Sequence, residues 1–357
     1  MKKITVQILR VFFTIAILIN QNISLRAQIE SSDTTLKSFR LFEDEKPLEI
    51  TLRFDLTTYF RIKPQEDYLK ANLTFHLSKT DSLSRDVRLK TRGVFRNQYC
   101  YFPPIELNFK KTYFGYSDLD SIYKLKVVTQ CSSGKFKQDY ILREYLVYKL
   151  FNILTDTSFR VRLLTINYVD SENRRKSEKQ TGFFLEPVER LLARTNSYQI
   201  KTATLTQKSI VPAIMDRFAI FNYMIGNYDW AVPGLHNVLV IRPKTASPQE
   251  LDIAIPHDFD WTGIVNASYA IPAEIVGTEN VRERIFFGVC RTREVFNNDL
   301  DLFLARKNDF YRVVNEFPYI DQKDKKDITK YLDGFFNQLE GNRDGILYYL
   351  LSSCKKF

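Results

Sequence analysis

At 357 residues, with 44% hydrophobic and 14% aromatic side chains, the chain can bury a large core and is not a disordered polymer. Its formal charge of +10 is spread along the sequence rather than packed into a basic block, and no nucleic-acid motif is present, so nucleic acid is not the expected partner. Four cysteines without any CxxC spacing argue against a zinc site.

The chain opens like an export signal. Lys2, Lys3 and Arg10 form a basic region, and residues 11–19 are an apolar run too short to span a bilayer comfortably. Cleavage after Ala27 is expected, so residues 1–27 are read as a signal peptide. Retention as an N-terminal anchor is the alternative, because Leu25 stands where a small residue is usual. Loss of 1–27 would leave a charge of about +6, a mild excess that suits a phosphate-bearing ligand or an anionic surface. No later segment reaches membrane-span length, so the mature protein is expected in the periplasm, the cell envelope or the medium, with no stable membrane span. An exported chain can form disulfides. Cys100 and Cys131 lie in neighbouring β-like segments and are the expected pair, with buried thiols as the alternative.

Residues 28–45 are polar and read as a flexible segment. From about 47 to 131 the stretches EITLRFDLTTYF, ANLTFHLS, DVRLKTRG, PPIELNFK and YKLKVVTQ alternate apolar and polar residues and predict strands. Residues 138–154 have apolar positions at helical spacing and predict an amphipathic helix. RVRLLTINYVD and QTGFFLEPV return to strand patterning around the charged hairpin SENRRKSEK. Helices are expected at 187–195, 207–226, 292–312, 322–340 and 343–353. The expected fold class is α+β in two lobes, a β-rich N-terminal lobe over 46–186 and a mostly helical C-terminal lobe over 187–357.

The chemistry concentrates at 218–260. An apolar run ends at Asn227-Tyr228-Asp229, and Pro233-Gly234 forbids further helix. Asp229 on such a loop can orient or deprotonate a hydroxyl, or simply form a turn with its own backbone. Asn237 opens the apolar strand VLVI, where its amide oxygen can serve Mg²⁺ or act as a turn residue. Asp258 and Asp260 follow the buried-type strand LDIAIP. Extended alternation would turn both carboxylates the same way, at a cost in repulsion unless a cation or a donor lies between them. His257 is read as a structural neighbour.

Lys124 and Lys126 share one face of YKLKVV, and either can reach phosphates, with Lys126 the preferred choice and Glu144 on helix 138–154 as its acidic partner. Arg92-Gly93 ends a strand and Arg96 follows; a backbone turn with guanidinium groups can cap phosphates where no glycine-rich loop exists. GFFLEPVER joins the two halves. There Leu185, Glu186 and Val188 are candidates to flank a nucleotide base by position alone.

In this order the segments resemble the spore-coat protein H (CotH) kinase family, an atypical branch of the kinase-like fold. The matching pieces are Arg92-Gly93, YKLKV, LRE at 142–144, GFFLEPV, NYDW with HNVLVI, and IPHDFDW, over roughly residues 85–265. The resemblance implies a two-lobed atypical protein-kinase-like fold and ATP-dependent phosphorylation of protein Ser or Thr with Mg²⁺ or Mn²⁺. It places Asp229 at the catalytic-loop position and Asn237 and Asp258 at the metal positions. This chain departs in reading RGVFRNQ at its turn, in the longer loop through Pro233, and in carrying His257 where the family often has Trp. Transfer of AMP on the same parts is a variant of this reading. The rival is a catalytically inactive, pseudokinase-type binding module of the cell envelope.

Overall fold

The computed structural model describes residues 39–131, 138–247 and 249–356. The expected signal over 1–27 and most of the 28–45 segment lie outside them. Leu41 and Phe42 are buried with the side chains of the first core, and Arg162 bonds the Asp44 carbonyl at 2.7 Å, so the end of that segment packs rather than hangs free.

Seven strands form a closed barrel: β1 (Leu48–Phe54), β2 (Leu69–His76), β3 (Ser82–Thr91), β4 (Ile105–Asn108), β5 (Lys124–Thr129), β6 (Val161–Asp170) and β7 (Glu178–Leu185). Their order is β1-β2-β3-β4-β5-β7-β6, and β6 closes the ring on β1 in parallel, from Leu48↔Leu164 to Phe54↔Asp170. The remaining pairs are antiparallel. Alternation along each strand sends Ile50, Leu52, Leu73, Phe75, Leu89, Leu107 and Leu125 inward, where all are buried.

This corrects the expectation of a two-lobed kinase-like fold with a β-rich and a mostly helical lobe. The N-terminal strands make a closed mixed barrel, and the C-terminal half holds a three-stranded sheet, Ile253–Pro256, Val238–Pro243 and Ser197–Ile200 in that order, among its helices. Alternation identifies which face of a strand is buried but not which edges pair, and the β1–β6 closure between strands a hundred residues apart is an edge property. The long first strand expected over 49–60 also breaks. The Asp55 carboxylate accepts from Thr58 N–H at 2.9 Å and starts α1 (Leu56–Ile62).

Helix α2 (Phe95–Tyr99) and the turn α3 (Ser117–Asp120) lie between barrel strands. The helix expected over 138–154 is present as α4 (Gln138–Leu154), but it is buried along nearly all of 141–150 rather than on one amphipathic face. Even its charges are taken inside: Arg143 bonds Asp324 at 2.5 Å and Asp327 at 2.6 Å. Then come α5 (Val188–Arg194), β8 (Ser197–Ile200), α6 (Pro212–Ile225), β9 (Val238–Pro243) and β10 (Ile253–Pro256). The chain ends in α7 (Arg293–Ala305), α8 (Lys307–Glu316), α9 (Gln322–Gly341) and α10 (Arg343–Ser353). Disulfides join Cys100 to Cys131 and Cys290 to Cys354. Among the described residues no helix is long and apolar enough to cross a membrane.

Candidate active site

The end of α6 sets the first part of the site. Gly226 adopts a left-handed conformation, φ 67°, and closes the helix by donating to the Asn222 and Tyr223 carbonyls. Beyond it, Asn227 donates from its side chain to Asn222 Oδ1 at 2.8 Å, and Asn222 is fully buried. Asn227 Oδ1 accepts from Asp229 N–H at 3.0 Å, and Trp230 Nε1 donates to the Asn227 carbonyl. Two buried amides therefore fix where Asp229 leaves the helix.

The loop through Pro233 then folds back on itself. Ala231 and His236 exchange both backbone hydrogen bonds at 3.0 Å, and Gly234 and Leu235 take positive φ to make the turn. This returns Asn237 to Asp229. Asn237 Nδ2 donates to the Asp229 carbonyl at 2.8 Å and to its Oδ2 at 3.0 Å, while His236 Nε2 lies 2.7 Å from Oδ1. With its nitrogen so committed, the planar Asn237 amide turns Oδ1 away from Asp229.

The third part arrives from β10. Asp258 stands at φ 64° and Asn237 at φ 51°, both in the left-handed region that costs an L residue strain. The Asp258 N–H donates to Tyr148 Oη of α4 at 3.0 Å, and the His257 N–H donates to the Asn237 carbonyl at 3.1 Å, tying the two loops together. Asp258 is thus not in extended backbone, yet its carboxyl still meets that of Asp260. Two carboxyls in contact cannot both be charged cheaply. Burial, then Asp258, pushes Asp260 up to about 7, against the opposing pull of Arg96. Burial opposes charge on Asp258 too, but Arg92, His257 and Arg96 hold it below the usual carboxylate range. Burial also drops His257 to about 4, so it is neutral at neutral pH.

Arg92, Gly93, Phe95 and Arg96 form the opposite wall of one cleft of about 480 Å³, whose floor is Asp229, His236, Asn237, Asp258 and Asp260. The structure thus brings five of the expected residues together: Arg92, Asp229, Asn237, Asp258 and Asp260. Arg96 is buried. It donates to the Thr129 carbonyl at 2.7 Å and lies 3.7 Å from Glu144 and 4.0 Å from Asp260. The cation beside Glu144 is therefore Arg96, not Lys126. Burial, then Asp260, lifts the Glu144 carboxyl well above its usual range, with Arg96 opposing.

Lys126 is open to solvent beside this wall. Desolvation and then Arg92 lower its pKa, with Asp258 pulling the other way, and solvent access discounts the first effect. Lys124 is turned to a surface pair with Glu106 at 3.2 Å. Glu186 is buried under α5, bonded to Arg194 at 2.8 and 2.9 Å and to the Arg160 N–H at 3.0 Å. None of Lys126, Lys124 and Glu186 lines the cleft.

His236, Tyr148 and Tyr269 (which donates to Asp260 Oδ2 at 3.0 Å) had no role assigned from sequence. Tyr148 was findable, since it stands one helical turn after Glu144 and shares its face. Tyr269 carried no local signal.

Among the described residues no group of three or more His, Cys, Asp or Glu side chains could by itself hold a metal ion. Asn237, Asp258 and Asp260 line the cleft together and carry side-chain oxygens, the donor type that Mg²⁺ and Mn²⁺ prefer. Among the described residues Arg92 Nε and Arg96 Nε are buried without a hydrogen-bond acceptor, so the backs of both guanidinium groups are desolvated. The chain matches no protein-family model and none of the curated proteins compared with it.

Proposed function

We propose that this cleft transfers a phosphoryl group from ATP to a Ser or Thr hydroxyl of a protein substrate, with Mg²⁺ or Mn²⁺, the activity that the CotH resemblance implied. The observation that carries the reading is the meeting of Asp229 and Asn237, from the two ends of one loop, with Asp258 after β10 on one cleft faced by Arg92. Asp229 orients the acceptor hydroxyl, its own carboxylate being held by His236 and Asn237. Asn237 and Asp258 would hold the metal, with Asp260 beside them. Bound there, the ion would neutralise phosphate charge. Arg92 faces the phosphate oxygens, and Arg96 keeps Glu144 and Asp260 in place. Export to the periplasm or envelope belongs to the same proposal, and the two disulfides suit an oxidising compartment.

Intact mass of the purified protein after incubation with ATP and Mg²⁺ or Mn²⁺, alongside Asp258→Ala, tests this. A phosphate adduct on the wild type alone supports transfer, and an AMP adduct replaces it with nucleotidyl transfer. No adduct together with no thermal shift by ATP at any metal concentration would leave the binding-module reading in its place.

A further inference from the structure

The outer wall of the barrel carries a second cleft, of about 620 Å³, lined by none of the residues of the first. Five cations line it: Arg53 of β1, Lys70 of β2, Arg88 of β3, and Lys110 and Lys111 just after β4. Asp86 is the one carboxylate among its lining residues, and it already accepts from Asn72 Nδ2 at 3.0 Å. Strand register forces the crowding. Lys70 pairs directly with Arg88, and Arg53 pairs with Asn72, which in turn pairs with Asp86. Like charges directly opposite on neighbouring strands destabilise a sheet.

Several cations elsewhere on the barrel surface are paired with carboxylates. Lys124 meets Glu106 at 3.2 Å, Arg174 meets Asp55 at 2.6 Å, and Lys179 meets Glu49 at 3.4 Å. Among the described residues none of the five cations here enters an ion pair, and all five are exposed. Arg88 instead lies over the Tyr68 ring, 5.4 Å from its centroid, a contact that does not neutralise it. Lys111 is fixed at φ 125°, a conformation L residues rarely adopt. The barrel interior is apolar and complete, so its packing does not require these charges.

We propose that this face binds a polyanion carrying two or more phosphate or carboxylate groups, free in solution or displayed as a lipid headgroup. A polyanion in the cleft would meet several of these cations at once, and several cations set around one concavity favour multiple anionic groups over one. The site is independent of the chemistry of the first cleft.

Calorimetric titration of the full chain with tripolyphosphate, and co-sedimentation with vesicles of anionic or of neutral phospholipid, provide the probes. Lys70→Glu/Arg88→Glu changes only exposed side chains, and its fold is checked by its melting temperature. It should weaken binding of whichever probe the wild type takes by roughly tenfold or more. Lys323→Glu/Lys326→Glu on α9 makes the same change in net charge and should weaken it less than about twofold. Arg92→Gln in the first cleft should leave unchanged the share of binding that Lys70→Glu/Arg88→Glu removes. Tripolyphosphate uptake assigns a free polyanion, and selective sedimentation with anionic vesicles assigns a headgroup. The proposal is overturned if the wild type takes neither probe, if both double variants lose binding alike, or if Arg92→Gln is the change that abolishes it.

Discussion

Two pairs of carboxyls in this molecule sit beside an arginine, and the surroundings decide what each pair does. Asp258 and Asp260 face Arg96 on an open cleft, whereas Asp216 and Asp299 face Arg291 inside the helical half. Arg291 Nε donates to both Asp216 oxygens at 2.8 Å, which leaves Asp299 with a buried Oδ2 that has no partner among the described residues. Burial, then Asp216, pushes Asp299 up to about 6 from 3.8. The folded state therefore holds this proton more tightly than the unfolded chain. The stability it contributes is complete below about pH 4 and is lost as the pH rises through about 6. Asp299→Asn removes that loss. At about pH 8 the variant should be more stable than wild type by about 1 kcal/mol, a figure already discounted for partial exposure, and at about pH 4 the two should melt alike. Equal gaps at both pH values would show that the charge is not the cause. Sequence could expose the site residues but not these environments. Asp229, Asn237 and Asp258 stood out because each sits where an apolar run stops or starts. Arg96 was visible only as a neighbour of Arg92, because the distance from α2 to Glu144 is set by barrel closure.

At the scale of elements, alternation and helical spacing located most segments, and the errors fall where one residue changes the backbone. Asp55 turned the end of a strand into a helix, and Arg306 split the helix expected over 292–312 into α7 and α8. The Arg306 N–H bonds the Phe303 carbonyl, three residues back, so the last turn of α7 tightens and the apolar period restarts. The element end with most consequence for the site is Gly226. A Cβ there would strike Tyr331 Oη and come within 3.3 Å of the Gly263 backbone, and φ 67° already disfavours any L side chain. Gly226→Ala should cost about 3 kcal/mol, well above an ordinary surface change, as read by chemical denaturation. Adding Tyr331→Phe removes the hydroxyl and should recover part of that loss despite giving up the bond to the Arg282 carbonyl at 3.1 Å. Because Gly226 sets where Asn227 and Asp229 leave α6, the proposed function adds the expectation that ATP shifts the melting temperature of Gly226→Ala less than that of the wild type. A variant as stable as wild type would refute this account of the helix end.

At the scale of the whole molecule, the barrel and the helical half share a wall. Phe184 of β7 and Leu164, Ile166 and Tyr168 of β6 belong to the barrel interior, while Phe183, Leu185 and Leu163 from the same strands belong to the core around α4 and α6. Adjacent residues on a strand face opposite ways, so two cores meet through a single layer of backbone. Neither core can lose β6 and β7 and remain closed. A chain of this length whose halves met only through a linker would unfold in separate steps, but one with a shared wall should unfold as one cooperative unit. The cleft with Asp229 and Asp258 lies along this junction, one wall from the barrel loop 92–96 and the floor from the helical half, so its geometry depends on that cooperativity. Phe183→Ala and Phe184→Ala test it from opposite sides. Each removes a fully buried ring, 0% exposed in both cases, and each should cost about 3–5 kcal/mol. If the wall is shared, calorimetry of either variant will show one transition at lower temperature, and both variants will weaken the thermal shift by ATP. Two resolved transitions, with Phe184→Ala lowering one and Phe183→Ala the other, would mean that the cores unfold independently and that the cleft is a contact between separable units.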